Sequence, residues 1–237
     1  MEHKSVCFAI PSGKGLHEKM SASLSMTIET LNQFGIKHNT LYCGGHFLES
    51  IRGKLVRDFL KGDCDTLFFI DSDQSFSPLD VITLLNLDED VIAGVPCKKD
   101  YPIAFPVTLT IRENRSVGKM LNPTTALIQA ETVGTGFMKI SRLALDKLTK
   151  HYSELSVKEF PNEEPWIDMF GRIIVDGYKL GEDKSFCKRW KDIGGVIWIY
   201  PDITFGHWEG NYEFKGNFHQ HLMNLKKQEE QNASNGS

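Results

Sequence analysis

Short apolar runs alternate with amphipathic stretches in the first part of the chain. The runs predict strands at 6–10, 37–42, 66–70 and 91–95. Between the first three strands, residues 17–34 and 48–60 place apolar side chains at helical spacing, and a glycine follows each stretch. This strand–helix–strand–helix–strand order predicts a largely parallel sheet with helices on both faces.

The hydrophobic pattern changes after residue 100. Short, turn-separated strands are predicted over 101–140, and residues 153–178 lack periodicity and contain two prolines, as expected of a functional loop. The remaining predicted elements are helices at 141–150, 182–193 and 218–227 and a strand at 196–200. Because no linker separates two cores, we expect one domain over 1–227 and a disordered polar tail over 228–237.

Composition narrows the class of protein. The 237 residues are 41% hydrophobic and 24% charged, as in soluble globular proteins, and no apolar run approaches the roughly 20 residues of a membrane helix. Five cysteines without C-x-x-C spacing, and no secretion signal, predict a reducing, cytoplasmic location. With 31 acidic against 27 basic residues, the charge balance argues against nucleic acid as a partner.

Two aspartates separated by one serine, Asp71-Ser72-Asp73, directly follow the most apolar strand. Ligands of open α/β sheets bind beyond the carboxyl ends of the strands. Two carboxylates there repel each other unless a cation intervenes, and oxygen ligands suit Mg²⁺ or Mn²⁺. A solvated turn is the competing interpretation, which the separate helix cap at Ser77 makes weaker.

Three later motifs each have a structural explanation and indicate a function only when they are considered together. Gly134 and Gly136 would let the backbone approach a substrate, although a bulge or hairpin bend explains them better on their own. Glu182 and Asp183 open a predicted helix, where acidic residues commonly balance the helix dipole; in a cleft, such a carboxylate could accept a proton from a hydroxyl. His207 offers an imidazole ligand for Mn²⁺, although a single loop histidine usually has no such role.

In this order, the four motifs resemble those of the nucleotide-sugar-dependent glycosyltransferases of the GT-A fold. The resemblance spans roughly residues 5–220, and segments 66–78 and 181–216 are similar to the small single-domain enzymes of bacteria, phages and large viruses. It implies an α/β fold with a Rossmann-like nucleotide-binding half, whose mixed, mainly parallel sheet is flanked by helices.

The resemblance also implies roles for individual residues. Asp73 and His207 would bind Mn²⁺ or Mg²⁺, with Asp71 close to the ion or the donor ribose. Asp183 would be the general base of an inverting transfer to a glycan or other hydroxyl acceptor, with Glu182 beside it. The residues implied to contact the UDP- or GDP-sugar donor are Pro11, Ser12, Arg52, Asp71, Ser72, Gly134, Gly136 and Lys215.

Two aromatic residues and a lysine pair are further candidates. Trp166 and Trp208 could stack on sugars, but plain packing is an equally good interpretation. Lys98 and Lys99 follow a predicted strand and could reach phosphates, although a solvated turn explains them as well.

Two other functions share these features. A sugar nucleotidyltransferase also combines an α/β fold with acidic metal ligands, and residues 11–15 (PSGKG) faintly resemble the glycine-rich basic loop of such enzymes. Pyrophosphate as the product would identify it, whereas glycosyl transfer releases a nucleoside diphosphate. An inactive nucleotide-sugar-binding module is the third candidate, and the intact motifs argue against it.

Overall fold

A helix-flanked eight-stranded sheet forms the centre of the protein. The computed structural model describes residues 5–13, 15–110 and 126–235. Its strands, numbered in chain order, are β1 (Val6–Pro11), β2 (His38–Cys43), β3 (Thr66–Ile70), β4 (Gln74–Ser75), β5 (Val91–Ala93), β6 (Val107–Leu109), β7 (Ile128–Val133), β8 (Phe137–Ser141), β9 (Ser156–Val157), β10 (Trp166–Ile167), β11 (Ile174–Val175), β12 (Tyr178–Lys179), β13 (Ile197–Ile199), β14 (Thr204–Glu209) and β15 (Tyr212–Asn217). Its α-helices are α1 (Glu18–Gln33), α2 (Leu48–Lys61), α3 (Pro78–Leu85), α4 (Arg142–His151), α5 (Glu182–Asp192) and α6 (Phe218–Asn235).

The predicted α/β class is confirmed, with a sheet of mixed direction. Its strand order is β2-β1-β3-β8-β5-β13-β7-β6. β1 is parallel to β2 and β3, and β5 is parallel to β13. The sheet is less parallel than expected, because β8 is antiparallel to β3 and β5, and β7 is antiparallel to β13 and β6. Within the described ranges, no α-helix lies between β5 and β8, and parallel crossovers are usually built with a helix.

Apolar side chains cover both faces of the sheet. Along β1, Cys7 and Ala9 belong to one core cluster, whereas Phe8 and Ile10 belong to the other. The first cluster packs against α2, α4, α5 and α6, and the second packs against α1 and α3. This alternation explains why the strand reads as a continuous apolar run, since neither face meets water.

The predicted start of α3 is confirmed. The Ser77 hydroxyl accepts a hydrogen bond from the Leu79 amide (3.3 Å), and the Asp80 carboxylate accepts one from the Ser77 amide (2.9 Å). This reciprocal cap separates α3 from the aspartates that follow β3.

The C-terminal helix is longer than predicted. A helix over 218–227 with a disordered tail from residue 228 was expected, whereas α6 continues to Asn235. The polar segment after residue 227 is rich in Gln and Glu, which favour helix, and Lys226 contacts Glu230 one turn later (3.9 Å). In the part of the chain that the structure describes, no helix combines the length and apolar character of a membrane span.

Candidate active site at the carboxyl ends of β1 and β3

A cleft of about 700 Å³ opens where β1 and β3 end. Its borders are the loops that follow β1, β2 and β3, the side chain of Lys99, and the β14–β15 hairpin. The volume is typical of small-molecule sites. The edge of the sheet predicted to carry a ligand therefore does form a concave surface.

The loop after β1 is held in a tight turn. The Ser12 amide donates to the Cys43 carbonyl (2.9 Å), and the Ser12 carbonyl accepts from the Gly15 amide (2.9 Å). Gly15 has a φ of +84°, a conformation that favours glycine. Pro11, Gly13 and Gly15 line the cleft, whereas Ser12 braces the loop through its backbone.

A short strand pairing brings Asp73 and His207 together. β4 follows Asp73 directly and pairs with β14, so that Gln74 lies opposite His207. The Trp208 amide donates to the Asp73 carbonyl (2.8 Å). As a result, His207 Nε2 lies 3.3 Å from Asp73 Oδ1. The structure thus joins the first and last of the predicted motifs.

The hydrogen bonding of His207 leaves Nε2 available as a ligand. Its Nδ1 lies 2.7 Å from the Cys97 carbonyl, which can only accept, so Nδ1 donates. In the neutral ring, the Nε2 lone pair then faces the Asp73 carboxylate, an arrangement that calls for a cation between them. Burial raises the pKa of Asp73, but Lys99 and, when its ring is protonated, His207 outweigh burial through hydrogen bonds and positive charge, and they lower this pKa to about 2.

These side chains fit a divalent cation that the protein coordinates only in part. Ionised Asp73 and the His207 imidazole are suitable ligands for Mn²⁺ or Mg²⁺. Over the residues described, no group of three or more His, Cys, Asp and Glu side chains converges as a metal site. Mg²⁺ is commonly held by one or two carboxylates together with substrate phosphates and water.

The Asp71 carboxylate forms an ion pair with the buried Arg52 of α2. Arg52 Nη2 donates to Asp71 Oδ1 (2.8 Å), and the arginine is only 1% exposed. Its guanidinium lies in the core, 5.2 Å from the Phe69 ring centre, and reaches the cleft through Asp71, so a direct contact of Arg52 with the donor stays a prediction. Its position one turn before the apolar Leu55 and Val56 is the sequence signal for this burial.

The glycine motif lies beside Asp71. The Asp71 amide donates to the Gly136 carbonyl (2.8 Å). A Cβ at Gly136 would lie 2.5 Å from Asp71 Oδ2 and 2.5 Å from Gln74 Nε2, so a side chain there would displace the carboxylate. A Cβ at Gly134 would lie 3.3 Å from Pro106 Cγ. The missing side chain of Gly136 therefore leaves room for the Asp71 carboxylate.

Glu182 and Asp183 form the first turn of α5, near Asp71. Asp183 Oδ2 lies 4.0 Å from the place of a Cβ at Gly134. Burial raises the pKa of Glu182 above 4.5, the charges of Asp183 and Asp71 raise it further, and Arg52 opposes them. The structure therefore places Asp183 close to Gly134 and Glu182 within the influence of the Asp71 charge, but neither acid lines the cleft.

Lys215 is not brought into the cleft. In the β14–β15 pairing, Lys215 lies opposite Gly206, while His207 lies opposite Phe214. Successive strand residues face opposite sides, so the exposed Lys215 is on the other face from His207; it does not line the cleft, although Trp208 on the same face does. A side chain that does line the cleft is Lys99, whose Nζ lies 2.5 Å from Asp73 Oδ2.

The two candidate tryptophans have different environments. Trp166 is only 4% exposed and lies against α2, where a Cβ at Gly53 would be 2.3 Å from its ring. It is a packing residue and offers no face for a sugar. Trp208 lines the cleft, and its Nε1 donates to the Ser75 hydroxyl (2.9 Å).

His17 is a cleft residue that sequence reasoning missed. Its ring stacks on Trp208, with ring centres 5.1 Å apart. Nδ1 accepts from the Lys19 amide (3.2 Å), so Nε2 carries the proton and donates to the Gly210 carbonyl (2.9 Å), 193 positions later in the sequence. The His17 amide also donates to the carbonyl of Ser72, which lines the cleft (2.8 Å). No local pattern indicates contacts between such distant residues.

Solved structures share this fold. The chain is similar to A197 from STIV, with a TM-score of 0.51 and 20% identity over 87% of this chain and 86% of that one. It also resembles GalNAc-T7, solved with UDP, GalNAc and Mn²⁺ (0.49, 11% identity, 89% of this chain and 46% of that one), and the inositol-1-phosphate CTP transferase from T. maritima (0.44, 11% identity, 95% and 96%). No family model and no curated protein matches the sequence. The similarity to A197 shows a common α/β fold.

Proposed function

We propose that this protein is a metal-dependent glycosyltransferase, which moves a sugar from a nucleoside-diphosphate sugar to a hydroxyl acceptor. The observation that carries the proposal is the pair formed by the Asp73 carboxylate and His207 Nε2, which face each other at 3.3 Å. The pair lies in a cleft at the carboxyl ends of β1 and β3, where α/β proteins bind nucleotides. The motif order from Asp71 to His207 and its resemblance to GT-A enzymes support this assignment.

The donor occupies the cleft in this proposal. Asp73 and His207 would hold Mn²⁺ or Mg²⁺, and the loop containing Pro11 and Gly13 would border the nucleotide. When bound, the ion neutralises the charge that develops on the departing diphosphate. Arg52 fixes Asp71 at the edge of the cleft through a 2.8 Å hydrogen bond.

The acceptor reacts on the side of Glu182 and Asp183. The bond between the anomeric carbon and the phosphate oxygen breaks, and its electron pair leaves with the nucleoside diphosphate. The acceptor oxygen forms the new bond to that carbon from the opposite face, and its proton passes to the Asp183 carboxylate. The configuration is inverted in this single displacement. A glycan hydroxyl is the proposed acceptor.

Product analysis tests the reaction class. The protein is incubated with UDP- and GDP-sugars, Mn²⁺ and a panel of glycans, and the products are separated. We expect a nucleoside diphosphate and an extended glycan in equal amounts. Pyrophosphate would instead identify a sugar nucleotidyltransferase. Metal-dependent binding without any product would identify a binding module.

Asp183→Asn separates catalysis from binding. The amide cannot accept the acceptor proton, so we expect the transfer rate to fall by about 10²–10⁴. Metal-dependent nucleotide binding, measured by calorimetry, should persist. Asp73→Asn is the complementary variant, which should lose metal-dependent nucleotide binding. A normal transfer rate in Asp183→Asn would eliminate Asp183 as the base.

A further inference from the structure

Lys99 is a cation in the cleft to which the proposed reaction has so far given no role. It follows β5, and its side chain is 27% exposed. Its Nζ lies 2.5 Å from Asp73 Oδ2, and it lines the same cleft as Ser72 and Gly13. A solvated charged turn, the alternative suggested by the sequence, does not describe this position.

The backbone around Lys99 is fixed by neighbours. The Lys98 amide donates to the Ala104 carbonyl (2.7 Å), and the Cys97 carbonyl accepts from His207 Nδ1 (2.7 Å). The Cys97 thiol donates to the Phe214 carbonyl (3.2 Å). Since the backbone directly before Lys99 is braced by these contacts, Lys99 can reach a new partner by rotation of its flexible side chain.

Both carboxylate oxygens of Asp73 are engaged. Oδ1 faces His207 Nε2 at 3.3 Å, and Oδ2 accepts from Lys99 Nζ. An ammonium ion and a divalent ion on the same carboxylate would be within a few ångströms of each other, where like charges repel strongly. A metal ion therefore binds Asp73 well only after Lys99 has left it.

The cleft offers Lys99 a second partner when a donor is present. A diphosphate carries several negative oxygens, and a lysine binds phosphate as a mobile point charge. Lys215, the residue expected to contact the diphosphate, lies on the other face of its hairpin. Lys99, in contrast, already lines the cleft beside Asp73.

We propose that Lys99 is an exchangeable counter-ion. It neutralises Asp73 in the ligand-free protein, and it transfers to the diphosphate when the divalent ion enters. This inference rests on the proposed function and goes beyond it, because it makes ion and nucleoside diphosphate bind as a linked pair. Each raises the affinity for the other by the same factor, because the ion binds Asp73 better once Lys99 has left it, and the diphosphate binds the released Lys99.

The test compares Lys99→Met with two control variants. Lys98→Met removes the same charge from the exposed neighbour, and Lys99→Arg keeps the charge at the site. Mn²⁺ binding is measured by electron paramagnetic resonance without nucleotide. UDP and GDP binding is then measured by calorimetry at saturating Mn²⁺. Neither readout requires turnover.

We expect Lys99→Met to bind Mn²⁺ alone about tenfold more tightly, because Asp73 is then unopposed. Its affinity for UDP or GDP with Mn²⁺ should fall by about tenfold or more, because a charge-assisted contact is lost. Lys98→Met should resemble the wild type in both measurements. Lys99→Arg should retain most of the nucleotide affinity, which a purely structural role would not predict.

Three results would overturn the inference. Unchanged Mn²⁺ affinity in Lys99→Met would show that Lys99 does not compete with the ion for Asp73. Unchanged nucleotide affinity would show that Lys99 does not contact the diphosphate. In both cases the proposed function would stand, because ion and nucleotide still bind. Failure of every protein to bind Mn²⁺, with or without nucleotide, would overturn the inference and the proposed function together.

Discussion

At the scale of single residues, the two aspartates of the motif after β3 have different partners. Asp71 pairs with Arg52, whose side chain is 2% exposed, whereas Asp73 pairs with Lys99, whose side chain is 27% exposed. A buried guanidinium is a fixed partner, because its release would leave a charge in the core. The more exposed lysine is free to exchange. This difference agrees with the proposal that Asp73 is the metal ligand, while Asp71 is held in place by Arg52.

Gly136→Ala tests whether a glycine is needed at this position to leave room for the Asp71 carboxylate. Its Cβ would lie 2.5 Å from Asp71 Oδ2, so the carboxylate must move. We expect a loss of about 1–3 kcal/mol in the free energy of unfolding, measured with denaturant, together with a fall in transfer rate. Gly134→Ala is the matched control, since its Cβ meets Pro106 at 3.3 Å and its effects should be smaller. Equal effects of both variants would contradict the special role of Gly136.

At the scale of elements, the sequence predicts what local patterns encode. The apolar run of β3 and the capping residues of α3 are visible in the sequence, and both are confirmed. The two-residue β4, whose pairing with β14 places His207 beside Asp73, has no such pattern. Pairings between distant segments depend on tertiary packing. For this reason the combination of His207 with Asp73 was implied only by the motif order, and the contacts of His17 were missed.

His17 connects the start of α1 to the β14–β15 hairpin. His17→Ala removes the cap of α1 and the 2.9 Å contact with Gly210, so we expect a loss of about 1 kcal/mol in stability and weaker nucleotide binding. His17→Asn keeps a capping side chain but removes the ring that stacks on Trp208. It should recover stability without recovering affinity. Hydrogen exchange of residues 204–217 should become faster in both variants, and an unchanged rate would contradict the connection.

At the scale of the whole molecule, 31 acidic residues outnumber 27 basic ones, and carboxylates are also concentrated around the candidate site. Asp71 and Asp73 have cationic partners at 2.8 and 2.5 Å. Glu182 is in a different electrostatic environment, because burial and the charges of Asp183 and Asp71 all disfavour its ionised form. The protein thus keeps a carboxylate pair near the site at a cost in stability, as active sites often do.

Glu182→Gln should expose this cost as a change in global stability with pH. Because the pKa of Glu182 is raised above 4.5 in the folded state, the folded protein binds more protons than the unfolded chain just above pH 4.5. Its contribution to stability is therefore lost as the pH rises through that range. The glutamine removes the charge, so we expect a higher Tm than the wild type at pH 7 and no gain at pH 4. Glu154→Gln, at an exposed position, is the control and should shift Tm at neither pH. A Tm for Glu182→Gln at or below the wild-type value at pH 7 would show that the ionised glutamate has a compensating partner.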